Sequence, residues 1–336
     1  MSVSACLIVR DEAARVLGCL TAVRPFVDDV VVLDTGSADG TAELAAAAGA
    51  RVRRLAWRDD FAAARNEALA DCLGDWVLSL DADEVATGVP AWLAPLLAVC
   101  GAELDGLSVL VRNAGGPDAR GLAAHREVKL LRRGRLRWAG RVHERPVRLD
   151  GGEPLVAALP EQTLSLVHHG YLEPAVVLAK AQRNARLSRL ELAELQAAGA
   201  PVERIARTAL DLGRSELASG RPDLALEPLR LGRDAPVGSP VWSWATDFLL
   251  RLAIEQGRPQ EATALAAELF RAGAPAGYCR WLLAQALIAQ GELGEAARLL
   301  AGLTELVDLS GNPLDGAQLD RARAACAAPA RPAGRR

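Results

Sequence analysis

The chain has 336 residues, 51% of them hydrophobic and 24% charged, with a net charge of −3, a globular composition long enough for about two domains. With no basic block except a short tail, a nucleic-acid role has no electrostatic support. The six cysteines are scattered, with no C-x-x-C, which argues against a zinc site or a disulfide framework and for reduced thiols in a cytosol.

Met1-Ser2-Val3 leads straight into a strand pattern without a signal-type start. No apolar stretch reaches the roughly 18 residues of a membrane span, so the expectation is a soluble, cytoplasmic protein. Ser4 to Val9 reads as a strand running into the polar Arg10-Asp11-Glu12. Glu12 to Val23 carries apolar residues near helical spacing, and Pro25 marks its end. Val30 to Leu33 is a β-branched strand ending at Asp34, followed by the turn-rich Thr35-Gly36-Ser37-Ala38-Asp39-Gly40-Thr41 and a helix from Glu43. Arg51 to Leu55 is a short strand, Asp60 to Leu73 a helix, and Trp76 to Leu80 a strand that stops at Asp81-Ala82-Asp83-Glu84. This alternation predicts βαβ units and a largely parallel sheet.

Beyond Glu84 the pattern predicts a helix over Ala91 to Val99. It predicts strands over Leu107 to Val111 and Val128 to Leu131, with Gly115-Gly116-Pro117 as a loop between them. Arg132-Arg133-Gly134-Arg135 has hairpin-turn character, and Val167-His168-His169-Gly170-Tyr171 precedes a long helix from Glu173 to Gln196. After about Pro201 only helices are expected. Ser219-Gly220-Arg221-Pro222 is echoed by Gln256-Gly257-Arg258-Pro259 and by Gln290-Gly291-Glu292-Leu293, with glycines 37 and then 34 positions apart. A period of about 34 with glycine at the inter-helix turn is a tetratricopeptide signature. The expected division is residues 1–172 as an α/β domain, 173–200 as a linking helix, 201–326 as repeats and 327–336 as a disordered tail.

Two of the strands end in aspartate, and in a parallel sheet their carboxyl ends line one crevice. Carboxylates that close together need a cation or hydrogen-bond donors, and a hard divalent ion shared with phosphates is the natural cation. No G-x-G-x-x-G, Walker-type loop or nucleophile elbow is present. The Asp81-Ala82-Asp83 run has the shape of a haloacid-dehalogenase-type nucleophile motif. Such an enzyme also needs a downstream lysine and a later acidic pair; the only lysines are Lys129 and Lys180, and no acidic doublet follows a later strand.

Several stretches together resemble family 2 glycosyltransferases of the GT-A fold, in the subset fused to tetratricopeptide-like repeats and similar to peptide S-glycosyltransferases. They are Leu7 to Glu12, Val32 to Thr41, Trp57 to Glu67, Gly74 to Glu84, Gly140 to Glu144, His168 to Tyr171, and Lys180 with Arg183-Asn184. Asp11 stands where asparagine is usual. The resemblance implies a Rossmann-like GT-A domain followed by an all-α repeat domain, and a DXD motif binding Mn²⁺ or Mg²⁺. Asp34 would accept from the base of a UDP-sugar and Arg65 would approach base or pyrophosphate. Asp81 would touch ribose or metal, Asp83 would bind the metal, and His168 would reach the metal or diphosphate. Lys180 and Arg183 would cover phosphates. Glu144 is the candidate base of an inverting transfer, with His143 orienting it or touching the acceptor. The acceptor is open among peptide, glycan and small molecule, and the repeats would recognise it or form a homodimer. The competing reading is a repeat scaffold or sensor that binds nucleotide sugar without turnover.

Overall fold

The computed structural model describes residues 1–114, 124–170 and 174–327. The Gly115-Gly116-Pro117 loop, Tyr171, Glu173 and residues 328–336 of the tail lie outside the described residues. The chain divides into two compact units, Met1–Val177 and Leu178–Arg336.

In the first unit β1 (Val3–Val9), α1 (Val16–Val23), β2 (Asp29–Asp34), α2 (Thr41–Ala47), β3 (Arg51–Arg54), α3 (Phe61–Ala70) and β4 (Trp76–Leu80) alternate as the pattern predicts. β1 pairs in parallel with β2 on one side and β4 on the other, and β2 pairs in parallel with β3. Then come β5 (Glu84–Thr87), α4 (Leu93–Val99), β6 (Gly106–Asn113), β7 (Ala124–Arg132), β8 (Leu136–Ala139), β9 (Arg145–Arg148), β10 (Val156–Ala158) and β11 (Ser165–His168). Nine strands form one sheet in the order β3-β2-β1-β4-β7-β6-β11-β5, with β10 paired to β6.

The sheet is mixed: β1 to β4 pair in parallel as expected, and β6 pairs in parallel with β10 and β11, but antiparallel pairs enter after β4. β7 lies antiparallel to both β4 and β6, and β5 antiparallel to β11. Between β4 and β11 the only α-helix of the described residues is the seven-residue α4, so strands that follow one another there lack the crossover helices that parallel pairing between them requires. The 132–135 segment does turn, with Arg135 N donating to Arg132 O at 3.2 Å and Gly134 at φ +77°. It does not close a hairpin: β8 pairs with β9 in a separate two-stranded ribbon.

Alternate residues of the central strands go to opposite faces, and both faces are covered. Val3, Ala5, Leu7 and Val9 join Val30, Val32, Trp76, Leu78 and Leu80 in one core. Cys6, Val31, Leu33 and Val77 pack on the other face with Ala64 and Ala68 of α3. That is the period-2 pattern of strands buried on both sides.

Helices alone follow: α5 (Pro174–Ala197), α6 (Val202–Ala218), α7 (Pro222–Gly232), α8 (Pro240–Glu255), α9 (Pro259–Arg271), α10 (Ala276–Gln290), α11 (Leu293–Leu300) and α12 (Gly316–Ala327). From α6 onward each packs on the next. The three repeated glycines, Gly220, Gly257 and Gly291, stand at φ +70°, +68° and +83° in the α6–α7, α8–α9 and α10–α11 turns. Small residues carry the contacts: Ala225, Ala245, Ala253, Ala262, Ala284 and Ala296 are all fully buried in one core. This is a stack of helix pairs, each burying its face against its neighbours. Among the described residues no helix is long and apolar enough to cross a membrane.

Candidate active site

The register places the two aspartate-tipped strands at one sheet edge. Val9 at the end of β1 is opposite Asp34, and Leu7 is opposite Leu80, the residue before Asp81. One strand separates the two tips, a span of about 10 Å at two strand spacings.

Asp34 is 1% exposed. Its Oδ1 accepts from the backbone N–H of Gly36 and of Ser37, each at 2.9 Å, and its Oδ2 is buried with no hydrogen-bond partner among the described residues. Burial works to raise this carboxyl, but the hydrogen bonds from Ser37 and Gly36 outweigh it and hold it below the usual range. Asp11 tethers the same loop: its N–H donates to Ser37 Oγ at 2.9 Å and its Oδ1 accepts from Ala38 N at 2.8 Å. Asp11 sits at φ +54°, a left-handed conformation that asparagine and aspartate tolerate better than most residues. Either residue type therefore serves there.

At the other tip, Asp81 to Glu84 close a turn from both ends. Glu84 N donates to Asp81 O at 3.0 Å, and Asp81 N donates to Glu84 Oε2 at 2.9 Å. Two buried cations grip this turn. Arg65, on α3, donates from Nη2 to Asp81 Oδ1 at 2.6 Å, from Nη1 to Ser79 Oγ at 3.0 Å and from Nε to Glu144 Oε1 at 2.5 Å. Its guanidinium also lies 5.3 Å from the centre of the Trp138 ring. Lys129, on β7, lies 2.9 Å from Glu84 Oε1, 3.5 Å from Asp81 Oδ2 and 3.1 Å from Glu127 Oε2. Burial opposes both cationic charges, but the surrounding carboxylates prevail and hold both groups protonated. Burial raises the Glu84 carboxyl, with Lys129 pulling against it.

Asp83 points elsewhere. Its Oδ2 lies 3.2 Å from His168 Nε2, and His168 Nδ1 lies 2.9 Å from Asn113 Oδ1. With its hydrogen on Nδ1 the ring donates to Asn113 and turns the Nε2 lone pair toward Asp83; with the hydrogen on Nε2 it donates to Asp83. A histidine whose far nitrogen donates to an oxygen is the usual orientation of a metal ligand. Among the described residues no three or more His, Cys, Asp or Glu side chains form a group that could hold a metal ion by themselves; Asp83 and His168 make a pair.

The remaining expected residues fall as follows. Glu144 reaches Arg65 because Asn66, next on α3, pairs with the backbone of Trp138 in both directions, at 2.9 and 2.8 Å. His143, beside Glu144, is exposed at φ +55°. Lys180 and Arg183 lie on α5, in the second unit, where Arg183 donates to Asn184 Oδ1. Sequence reading left Lys129, Asn66, Ser79 and Asn113 without a role, and named Glu84 only as a neighbouring carboxylate. For Asn66 there was a signal, since it stands beside Arg65 in the Trp57 to Glu67 stretch.

Residues 4–148 match the family model for glycosyl transferase family 2. The first unit is thus similar to glycosyltransferase family 2 domains. The chain is 55% identical over 82 residues to a TPR repeat-containing protein of Synechococcus elongatus, covering 24% of this chain and 20% of that one. It is 24% identical over 190 residues to the SPbeta prophage-derived glycosyltransferase SunS of Bacillus subtilis, covering 54% of this chain and 43% of SunS. The chain thus spans less than half the length of either relative. A solved structure, mannosyl-3-phosphoglycerate synthase of Rubrobacter xylanophilus, aligns over 35% of this chain and 43% of that one at 29% identity, with a TM-score of 0.29.

Proposed function

We propose that the chain transfers a sugar from a nucleoside diphosphate donor, of uridine type, to an acceptor hydroxyl or thiol with inversion at the anomeric carbon. One observation carries this reading: a buried, hydrogen-bond-accepting carboxylate and an imidazole–carboxylate pair stand on one sheet edge of a unit similar to glycosyltransferase family 2 domains. Asp34 is suited to accept from the N–H of a uracil-type base, since Oδ2 has no partner of its own. Asp83 and His168 would hold Mn²⁺ or Mg²⁺, with the donor's diphosphate supplying further oxygens. When bound, that ion neutralises charge on the departing diphosphate.

The acceptor O–H or S–H attacks the anomeric carbon opposite the leaving phosphate oxygen. The new bond forms as the carbon–oxygen bond to phosphate breaks, and the acceptor's proton passes to the Glu144 carboxylate. Arg65 positions that carboxylate through Nε and Asp81 through Nη2. His143, beside the base, is placed to touch the acceptor.

Purified chain incubated with Mn²⁺ and a panel of UDP-sugars and acceptors is expected to release UDP, followed by chromatography. Asp83→Ala is expected to reduce release by at least about a hundredfold, in line with loss of a metal ligand. Binding of UDP-sugar without release across a broad acceptor panel would instead favour a sensor.

A further inference from the structure

Lys129 plays no part in the mechanism above, yet it is 5% exposed and sits where the antiparallel β7 lies against β4. A buried ammonium is tolerated only when well paired, and Lys129 has three carboxylates around it at 2.9, 3.1 and 3.5 Å. Two of them, Glu84 and Asp81, are the two ends of the turn that carries Asp83. Arg65 occupies Asp81 Oδ1 and Lys129 faces Oδ2, so both oxygens of Asp81 are committed to protein cations. The Asp83 side chain is directed to His168, while the Asp83 carbonyl accepts from His169 N at 2.8 Å.

We propose that Lys129 is a positioning residue for the cation site: by holding Glu84 and Asp81 together it sets the 81–84 turn and aims Asp83 at the ion. This assigns Asp81 the role of a strut clamped between two cations and leaves the ion to Asp83 and His168. It rests on the nucleotide-sugar reading. Removing the Lys129 charge strands the Glu84 carboxylate, 2% exposed, against Asp81, and the turn reopens to separate the two. The base-binding end, one strand beyond β1, touches none of these groups and stays as it is.

The test is calorimetric titration of the full chain with UDP, with and without Mn²⁺. Lys129→Met is expected to weaken UDP binding in Mn²⁺ by about tenfold or more, the scale of losing a supporting contact to a metal ligand. Without Mn²⁺ the change is expected to stay within about threefold. A purely structural lysine would weaken both alike. The double variant Lys129→Met with Glu84→Gln removes the stranded charge at nearly constant volume. It is expected to recover the melting temperature but not the Mn²⁺-dependent affinity, and it carries the test if Lys129→Met alone does not fold. Affinity in Mn²⁺ close to wild type in either variant, or equal losses with and without Mn²⁺, overturns the role of Lys129. A wild-type chain indifferent to UDP and Mn²⁺ overturns the nucleotide-sugar reading as well.

Discussion

Arg65 shows how a single side chain ties the halves of the site together. Its three nitrogens go to Glu144, Ser79 and Asp81, so it links the Glu144 carboxylate to the 81–84 turn. The resemblance implied contact with base or pyrophosphate; in the structure the guanidinium is buried and engaged by protein. A lone arginine in a helical stretch gives no hint of this, because its partners lie 14, 16 and 79 positions away. Lys129 was hidden for the same reason, 45 positions from Glu84. The strand-tip aspartates were legible because their signal is local, an apolar run meeting a carboxylate. Arg65→Met takes the cation from Glu144 and leaves Asp81 with Lys129 alone. Breaking a buried pair costs about 3–5 kcal/mol, and the low end applies because Asp81, 40% exposed on its side chain, is screened by water. Urea unfolding is expected to show that loss, and Arg65→Lys is expected not to restore activity, since one ammonium cannot reproduce three directed donors.

Among the elements, β1 to β4 and the helices between them followed from hydrophobic period alone. β6 and β7 were legible as strands, but their pairing was not, because antiparallel insertion of β7 between β4 and β6 is a choice made by tertiary contacts. β5 escaped notice because its four residues, Glu84–Thr87, start on a charged residue. The close approach of β1 to the start of β4 is equally invisible in the sequence. A Cβ on Gly74 would stand 2.5 Å from Ser4 N and 2.8 Å from Val3 C, both backbone atoms that cannot rotate away. Gly74→Ala is therefore expected to destabilise the first unit by about 1–3 kcal/mol, as overpacking does, read as a lower denaturation midpoint. An unchanged midpoint would mean that β1 and the β4 entry are not held this tightly.

At the scale of the whole molecule, the repeat signal was legible because the chain writes it three times with glycine at the same turn. Those glycines have open space around the Cβ position, so backbone conformation alone demands them. Gly257→Ala, at φ +68°, is expected to cost about 1–2 kcal/mol and to lower the melting temperature of the helical unit. The proposed chemistry, by contrast, lies at the sheet edge of the first unit. On the proposed reading this edge takes a nucleoside diphosphate through Asp34 and a cation through Asp83 and His168. Anomalous-difference density from crystals grown with UDP and Mn²⁺ tests it most directly. A manganese peak between Asp83 Oδ2 and His168 Nε2, with the base against Asp34, is the predicted result; a peak on Asp81, or UDP bound away from this edge, would contradict it.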